Sequence, residues 1–282
     1  MSVPTSPAPV IDSHQHFWLY DARTYGWIDE TMTALRRDFL PDDLGPLLTP
    51  EGVDATIAVQ ARQDEEETAW LLDLASRYGF IRGVVGWVDL QAADVESRVE
   101  RLADTPRLVG VRHVVQAEPD GFLHRAAFHR GMKAVERCDL VYDVLIYARQ
   151  LPEAVRFVTA FPRQRFVLDH LGKPDVRGNG LLEWSRRLQE LAEVPQVWCK
   201  LSGLVTEADW QSWTPAGLRP YLDTALDAFG PSRLMFGSDW PVCTVAASYH
   251  EVLALVREAI SEYSADEQAQ MLGRTAEEVY LS

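Results

Sequence analysis

Cysteine is scarce in this sequence. Three cysteines, Cys138, Cys199 and Cys243, are spread over 282 residues, and none belongs to a CxxC pair. An odd number at wide spacing does not suit a disulfide framework or a zinc finger, so we expect reduced thiols and a cytoplasmic protein. Isolated cysteines are most often buried structural residues, which argues against a cysteine nucleophile. Cys243 follows a strand-like run and keeps that alternative open.

Basic residues are also few relative to acidic ones. The chain has 27 Lys and Arg against 42 Asp and Glu, a formal net charge of −15, and no basic run offsets this balance. The composition argues against a nucleic-acid partner. A long apolar run is missing as well, so no membrane span is predicted. The opening MSVPTSPAPV has neither the charged nor the apolar region of a secretory signal, and we predict a flexible lead over residues 1–9.

Glycine-rich phosphate loops are missing too. Neither GxGxxG nor GxxxxGK[ST] occurs, which argues against a doubly wound sheet that binds a nucleotide. What the sequence does contain is a series of short apolar runs separated by stretches with helical periodicity. The eight runs are 10–17, 55–60, 81–90, 108–116, 141–147, 165–172, 197–203 and 234–241.

This alternation predicts the fold. Continuous apolar strands between amphipathic helices are typical of a parallel sheet that is covered by helices. Eight such units predict an α/β protein with one domain, a (β/α)8 TIM barrel over residues 10–282. Only the first connection, residues 18–50, lacks a clear helical pattern, and we predict an irregular loop over the barrel mouth followed by a short first helix.

The chemistry of such a barrel lies at the C-terminal ends of its strands, so polar residues there are candidate site residues. In VIDSHQHFW the two histidines are two residues apart, and strand alternation places them on the same face. The polar or aromatic residues at the predicted strand ends are His14, His16, Gln60, Arg62, Trp87, Asp89, Arg112, His113, Tyr147, Asp169, His170, Lys200, Ser202, Ser238, Asp239 and Trp240.

Structural roles compete with functional ones at these positions. Arg112 with Asp89, or Lys200 with Asp169, could be ion pairs that close the top of the barrel. Asp239 is different, because a carboxylate after a buried strand is costly unless it is paired or coordinates a cation. The remaining histidines, His124, His129 and His250, fall in helical stretches, where packing or solvation is expected.

Several motifs carry a resemblance to a known family. DSHQHFW, GVVGWVDL, GVRHV, VLDHLGKP, KLSGL and MFGSDWPVC occur in this order on the predicted strands. Together they resemble the amidohydrolase superfamily, and within it the sugar-lactonase branch that includes L-fuconolactonase and L-rhamnonolactonase and is related to 2-pyrone-4,6-dicarboxylate lactonase. The likeness extends from Val10 to about Leu281. It implies a distorted barrel that hydrolyses lactones in carbohydrate metabolism.

The resemblance also implies roles for individual residues. His14, His16 and Asp239 match the metal ligands of the superfamily, and Asp239 with His170 matches its catalytic groups. The implied metal is one divalent ion, zinc or manganese. No carboxylated lysine is evident on strand four or five, which argues against two bridged metals. Some members of the branch work without metal, so metal-independent catalysis, with the histidines and Arg112 polarising the carbonyl, stays open.

The expected ligand is a small neutral sugar lactone, bound by a monomer or homodimer. Tryptophans at the mouth would stack on the sugar ring, and polar side chains would bind its hydroxyl groups. The predicted substrate-binding residues are Trp27, Gln60, Trp87, Arg112, His113, Lys173, Lys200 and Trp240.

Three alternatives remain open. A pyrone dicarboxylate would need several arginine clamps, but only Arg62 and Arg112 lie at strand ends. A non-oxidative decarboxylase of the same superfamily usually has a Ser-Asp-x-Pro-His turn, whereas Pro241 is followed by Val242 here. A non-catalytic barrel that binds a sugar or a protein is the third alternative, and the presence of the full histidine and aspartate set argues against it.

Overall fold

The computed structural model describes residues 8–178 and 180–282, and in it all eight predicted strands form one parallel sheet. Each strand pairs with the next one along the chain. The predicted (β/α)8 TIM barrel is therefore confirmed. Residues 1–7 of the predicted flexible lead lie outside the described residues. The strands are β1 Ile11–Gln15, β2 Ala55–Val59, β3 Ile81–Gly86, β4 Leu108–Val114, β5 Val141–Leu145, β6 Phe166–Leu168, β7 Val197–Leu201 and β8 Leu234–Phe236.

Helices follow the strands as predicted. The short first helix after the irregular segment is α1, and Gly52 ends it in the left-handed conformation at φ +64°. In the described residues, no helix combines the length and the apolar character that crossing a bilayer requires. The helices are α1 Pro41–Glu51, α2 Glu65–Arg77, α3 Val95–Ala103, α4 Ala126–Arg137, α5 Leu151–Thr159, α6 Leu181–Ala192, α7 Leu204–Glu207, α8 Pro215–Phe229, α9 Tyr249–Ala259, α10 Ala265–Ala269 and α11 Thr275–Tyr280.

The core has two layers. A large cluster fills the space between the strands and the surrounding helices. A smaller cluster combines strand side chains such as Ile57 and Val141 with residues of α11, among them Tyr280. Arg165, just before β6, donates to the carbonyl oxygen of Val279 at 2.8 Å. Helix α11 therefore packs at the N-terminal end of the strands and leaves the opposite end open for a site.

The barrel closes where β1 meets the segment after β8. The backbone N–H of Asp239 donates to the carbonyl oxygen of His14 at 2.8 Å, and that of His16 donates to Trp240 at 2.7 Å. Below these bonds the buried Asp12 carboxylate accepts the backbone N–H of Ser238 at 2.8 Å. It also accepts the N–H of His14 and the hydroxyl of Tyr249, each at 3.1 Å. The Asp12 carboxylate thus connects β1 with residues 238–240 after β8, the junction that we call the closing seam.

Asp12→Ala should destabilise the protein because three buried donors lose their acceptor. Burial raises the pKa of Asp12 to about 6, so this carboxylate is ionised at neutral pH and accepts all three bonds. We expect a loss of about 2 to 5 kcal/mol in the free energy of unfolding, measured by denaturant titration. Tyr249→Phe removes only one donor and should cost about 1 kcal/mol. Equal losses in the two variants would contradict this role for Asp12.

Candidate active site

The two histidines of β1 project to the same side, as strand alternation predicts, and both are buried. Their Nε2 atoms lie 3.1 Å apart. Nδ1 of His16 is 2.8 Å from the carbonyl oxygen of Val59. A carbonyl oxygen only accepts, so Nδ1 of His16 carries a proton and donates it, and Nε2 is the ring nitrogen that faces the site.

His170 joins them from the end of β6 through an unusual backbone. His170, Leu171, Gly172 and Lys173 all have positive φ angles, between 48° and 67°. Such a run is rare outside glycine and is typical of functional sites. The His170 ring shares a hydrogen bond of 2.9 Å between its Nδ1 and Ser202 Oγ. Gly203 is required beside it, because a Cβ there would lie 2.4 Å from His170 Nδ1.

Asp239 completes the group from the end of β8. It also has a left-handed backbone, with φ +56°. Its Oδ1 lies 3.4 Å from His16 Nε2, 3.8 Å from His170 Nε2 and 3.9 Å from His14 Nε2. The chain after β8 approaches β1 closely at Gly237, where an added Cβ would lie only 2.8 Å from the Cβ of His14. This close approach allows Asp239 to reach the histidines. The predicted metal and catalytic residues, His14, His16, His170 and Asp239, are therefore brought together.

Burial sets the charges of this group. It lowers the pKa of His14 far below its usual value and that of His170 to about 4, so both rings are neutral at neutral pH. Burial alone would raise the pKa of Asp239, but the nearby His170, His16 and Lys173 lower it overall. The site therefore presents an ionised carboxylate beside the neutral imidazoles of His14 and His170.

The donor set fits one divalent metal ion. Nε2 of His14, Nε2 of His16 and Oδ1 of Asp239 are mutually 3.1 to 3.9 Å apart. The ligand atoms around a tetrahedral zinc ion are about 3.3 Å apart, given bond lengths near 2.0 Å. His14, His170 and Asp239 likewise form a group that could hold an ion. The hydrogen bond from His16 to Val59 has the form expected of a zinc-ligating histidine.

A network of buried charges lies behind His14. Arg112 donates to Asp169 Oδ2 at 2.9 Å, and its Nη1 lies 3.3 Å from His14 Nε2. Lys200 contacts Asp169 and Asp143, and its Nζ lies 3.1 Å from His14 Nδ1. The ion pair between Lys200 and Asp169, which the sequence analysis considered as a structural role for these residues, is therefore present. Arg112 pairs with Asp169 and not with Asp89.

A pocket of about 580 Å³ opens above the histidines and Asp239. This volume is within the range of sites for small molecules. Three predicted substrate-binding residues, Trp27, Arg112 and Lys173, line it. Trp27 is 40% exposed and donates through Nε1 to the carbonyl oxygen of Ala61 at 2.9 Å.

Other lining residues were not predicted from the sequence. They include Trp210 on the aromatic side and Glu207, whose carboxylate lies 3.4 Å from Lys173 Nζ, whereas Tyr147, which also lines the pocket, was already a candidate at the end of the fifth strand. Trp210 and Glu207 follow β7, in a segment where no strand pattern marks them. Asp143 in β5 did carry a signal, because a charged residue inside an apolar strand needs a buried partner.

The other predicted substrate-binding residues lie away from this pocket. Lys200 is wholly buried in the charge network, and the side-chain amide of buried Gln60 donates to the carbonyl oxygen of Arg112 at 3.4 Å. Trp87 donates to His113 Nδ1 at 3.3 Å, and His113 stacks on Phe122. These placements favour support of the pocket wall over contact with a ligand.

Trp240 faces the other way from Asp239. Its ring is 2% exposed and packs edge to face against Phe17 and Phe39. It borders a separate surface cavity of about 500 Å³ that none of the four convergent residues lines. Cys243 is buried, and burial raises the pKa of its thiol, which disfavours the thiolate that a nucleophile needs.

Comparison with known proteins agrees with this geometry. The chain is 49% identical to an L-fucono-1,5-lactonase from Burkholderia multivorans over 96% of this chain and 95% of that protein. It is 41% identical to an L-fucono-1,5-lactonase from Burkholderia ambifaria over 85% of this chain and 82% of that one. A crystal structure of a Burkholderia multivorans amidohydrolase with bound zinc matches with a TM-score of 0.93 and 48% identity, over 97% of this chain and 99% of the other.

The family model described as amidohydrolase matches residues 11–281, a range that includes every strand of the barrel and all four convergent site residues. The resemblance first seen in the strand motifs is therefore confirmed over nearly the whole chain. This protein belongs to the amidohydrolase family.

Proposed function

We propose that this protein hydrolyses the ring ester of a sugar lactone, of the L-fucono-1,5-lactone type, to the open aldonic acid. The observation that carries the proposal is the Asp239 carboxylate, held among three imidazoles at the base of a pocket of monosaccharide size. The two relatives that share 49% and 41% identity are lactonases of this kind.

Asp239 is the base. A water molecule beside it loses a proton to the carboxylate as its oxygen bonds to the lactone carbonyl carbon, and the carbonyl oxygen becomes an oxyanion. The Arg112 guanidinium lines the same pocket and supplies positive charge for that oxyanion. When the tetrahedral carbon re-forms its carbonyl, the bond to the ring oxygen breaks. Asp239 then returns the proton to that oxygen, which leaves as a hydroxyl group.

His14, His16 and Asp239 would hold a divalent metal, with zinc the best match to two imidazoles and a carboxylate. When bound, such an ion polarises the carbonyl and lowers the pKa of a water ligand. His170 contributes from the other side. Its ring lies 3.8 Å from Asp239 and orients the carboxylate through a position that Ser202 fixes.

The pocket favours a neutral sugar over an anionic ligand. Its basic side chains are already engaged: Arg112 pairs with Asp169, Lys173 with Glu207, and Arg177 donates to the carbonyl oxygen of Ala208. Trp27, Tyr147 and Trp210 offer flat surfaces for the C–H face of a sugar ring. We therefore expect an aldonolactone to be a better substrate than a dicarboxylate pyrone or an aromatic acid.

The setting proposed for this activity is the cytoplasm, with the protein acting as a monomer or homodimer on a small-molecule substrate. Cys138, Cys199 and Cys243 form no disulfide, which suits a reducing compartment. Nucleic acid is not expected as a partner, given the formal net charge of −15.

The reaction class can be tested with a panel of lactones. Acid release would be followed with a pH indicator for L-fucono-, L-rhamnono-, L-galactono- and D-glucono-lactones, against the spontaneous rate in buffer. We expect acceleration with the L-sugar lactones, and the deoxy sugars should be the best substrates. Turnover of a pyrone dicarboxylate or release of CO₂ from an aromatic acid, with no lactone accelerated, would overturn the proposal.

Asp239→Asn should lower kcat by about 10² to 10⁴-fold, because the amide cannot accept the proton from water. The substitution keeps the shape of the side chain, so the melting temperature should change little. Both quantities would be measured on the same preparation. Activity close to that of the wild type in a folded variant would remove Asp239 from the role of base.

Trp27→Ala should raise KM for the preferred lactone by about tenfold, the loss expected for one ring-stacking contact of roughly 1 to 1.5 kcal/mol. Trp87→Ala is the matched control, since that ring donates to His113 outside the pocket lining. Its KM should stay close to that of the wild type. A larger KM effect in the control than in Trp27→Ala would place the sugar elsewhere.

Removal of metal should lower turnover. Dialysis against a chelator is expected to reduce kcat at least tenfold, and zinc or manganese should restore it, because the ion supplies Lewis-acid polarisation. Metal content and activity would be measured together. Full activity in protein whose metal content is close to zero would instead support catalysis by the histidines and Arg112 alone.

A further inference from the structure

A pair of opposite charges lies on the wall of the pocket that contains Asp239. Lys173 follows β6, and Glu207 is the last residue of α7, the short helix after β7. Both residues line the pocket. Their side chains are 17% and 21% exposed, so a molecule in the pocket can contact either of them.

The backbone fixes both members of the pair. Lys173 ends the left-handed run that positions His170, with φ +48°, and its N–H donates to the carbonyl oxygen of His170 at 2.8 Å. In the turn that carries Glu207, the hydroxyl of Thr206 donates to the carbonyl oxygen of Gly203 at 2.6 Å. The fold therefore places this ion pair by the same two loops that place His170.

The ion pair is loose. Lys173 Nζ lies 3.4 Å from Glu207 Oε1, whereas charge-assisted hydrogen bonds are about 2.7 to 2.9 Å long. An ammonium has three donors and a carboxylate has about four acceptor sites, so this contact leaves most of both groups unused. Burial raises the pKa of Glu207, and Lys173 offsets that shift only in part. A carboxylate that is poorly solvated in this way gains from a hydroxyl donor.

Aromatic rings flank the pair. Lys173 Nζ lies 5.6 Å from the centre of the Tyr147 ring, and the Arg177 guanidinium lies 5.3 Å from the centre of the Trp210 ring. Both rings line the pocket. A sugar ring stacks its C–H face on such surfaces, and its hydroxyl groups project from the edge. Two adjacent hydroxyls match the pair, because one can accept from the ammonium while the next donates to the carboxylate.

We propose that Lys173 and Glu207 together recognise a vicinal diol on the lactone ring. This inference rests on the proposed function and specifies which feature of the substrate the pocket selects. The pair is neutral overall, so it suits an uncharged polyol. In a 1,5-lactone of fuconic acid the free hydroxyls are on C2, C3 and C4, and every adjacent pair therefore includes the hydroxyl on C3. Glu207 is thus a residue that determines specificity.

The test compares two lactones that share a six-membered ring ester. L-Fucono-1,5-lactone carries the hydroxyl groups, and δ-valerolactone has none. Glu207→Ala should lower kcat/KM for the hydroxylated lactone by about tenfold to hundredfold, because a hydroxyl loses a charged partner. The same variant should keep kcat/KM for δ-valerolactone within about threefold of the wild-type value. Glu207→Gln retains one acceptor oxygen and should give an intermediate loss.

Asp29→Asn is the matched control. Asp29 lines the same pocket, but its carboxylate accepts the N–H and the hydroxyl of Thr31 at 2.7 and 2.6 Å within its own turn. This variant should leave the ratio of the two kcat/KM values unchanged.

The hydroxyls can be identified with the 2-deoxy, 3-deoxy and 4-deoxy forms of the lactone. In the wild type, the 3-deoxy form and one neighbouring form should each lose about tenfold or more in kcat/KM. Removal of the partner side chain, in Glu207→Ala or Lys173→Met, should make the loss of its hydroxyl nearly neutral. Coupling of the two residues to the hydroxyls on C2 and C4 would contradict a vicinal diol.

Other results would also overturn the proposal. Equal losses on both lactones in Glu207→Ala would show that the pair only supports the loops, and an unchanged ratio would show that the sugar does not reach it. If the wild type accelerates neither lactone, the proposed function fails, and thermal unfolding with L-fucose decides the recognition. L-Fucose at about ten times its wild-type Kd should raise the Tm of the wild type by roughly 2 to 5 °C, and that of Glu207→Ala by less than half as much. An equal shift in both proteins, or no shift in either, would refute it.

Discussion

Buried carboxylates must be matched by hydrogen bonds or positive charge, and this constraint organises the interior of the barrel. Asp12, Asp143, Asp169 and Asp239 are all buried there, on or after four different strands. Asp12 accepts backbone and hydroxyl donors, while Asp143 and Asp169 share the ammonium of Lys200. Asp239 instead lies among imidazoles, with no ammonium or guanidinium group of the described residues paired to it. Its carboxylate is therefore free to accept a proton or to bind a metal ion. Reactivity is therefore confined to one of the four.

Backbone conformation turns this charge arrangement into a site. The strands β6 and β8 are only three residues long, and left-handed residues follow both of them. His170 and Asp239 therefore leave the sheet early and turn towards the axis of the barrel. The tight packing of Gly203 and Gly237 against neighbouring histidine atoms leaves little space for other rotamers. This packing holds Asp239 and the histidines in their positions before a ligand binds.

Much of this arrangement could be predicted from the sequence, for identifiable physical reasons. Apolar runs marked the strands, and parallel strands bring their C-terminal ends together, so His14, His170 and Asp239 were placed in one site. The direction of each side chain at a strand end was harder to predict, because one residue of register decides whether it faces the pocket or the packed layer. Lys200 and Trp240 are such cases. Residues after β7, such as Glu207, depend on tertiary folding of a loop and left no periodic signal.

The closing seam has a consequence for how the protein acquires its shape. Asp12 binds a backbone group 226 positions further along the chain, and Asp143 is held by a hydroxyl 137 positions away. Contacts of such long sequence separation are slow to form, because a large loop must be ordered before they contribute. Asp12 and Asp143 therefore lack these partners until the chain beyond β8, with helix α11, has packed against the barrel. We expect the barrel to collapse first around its apolar strands, with the reactive centre assembled in the last step.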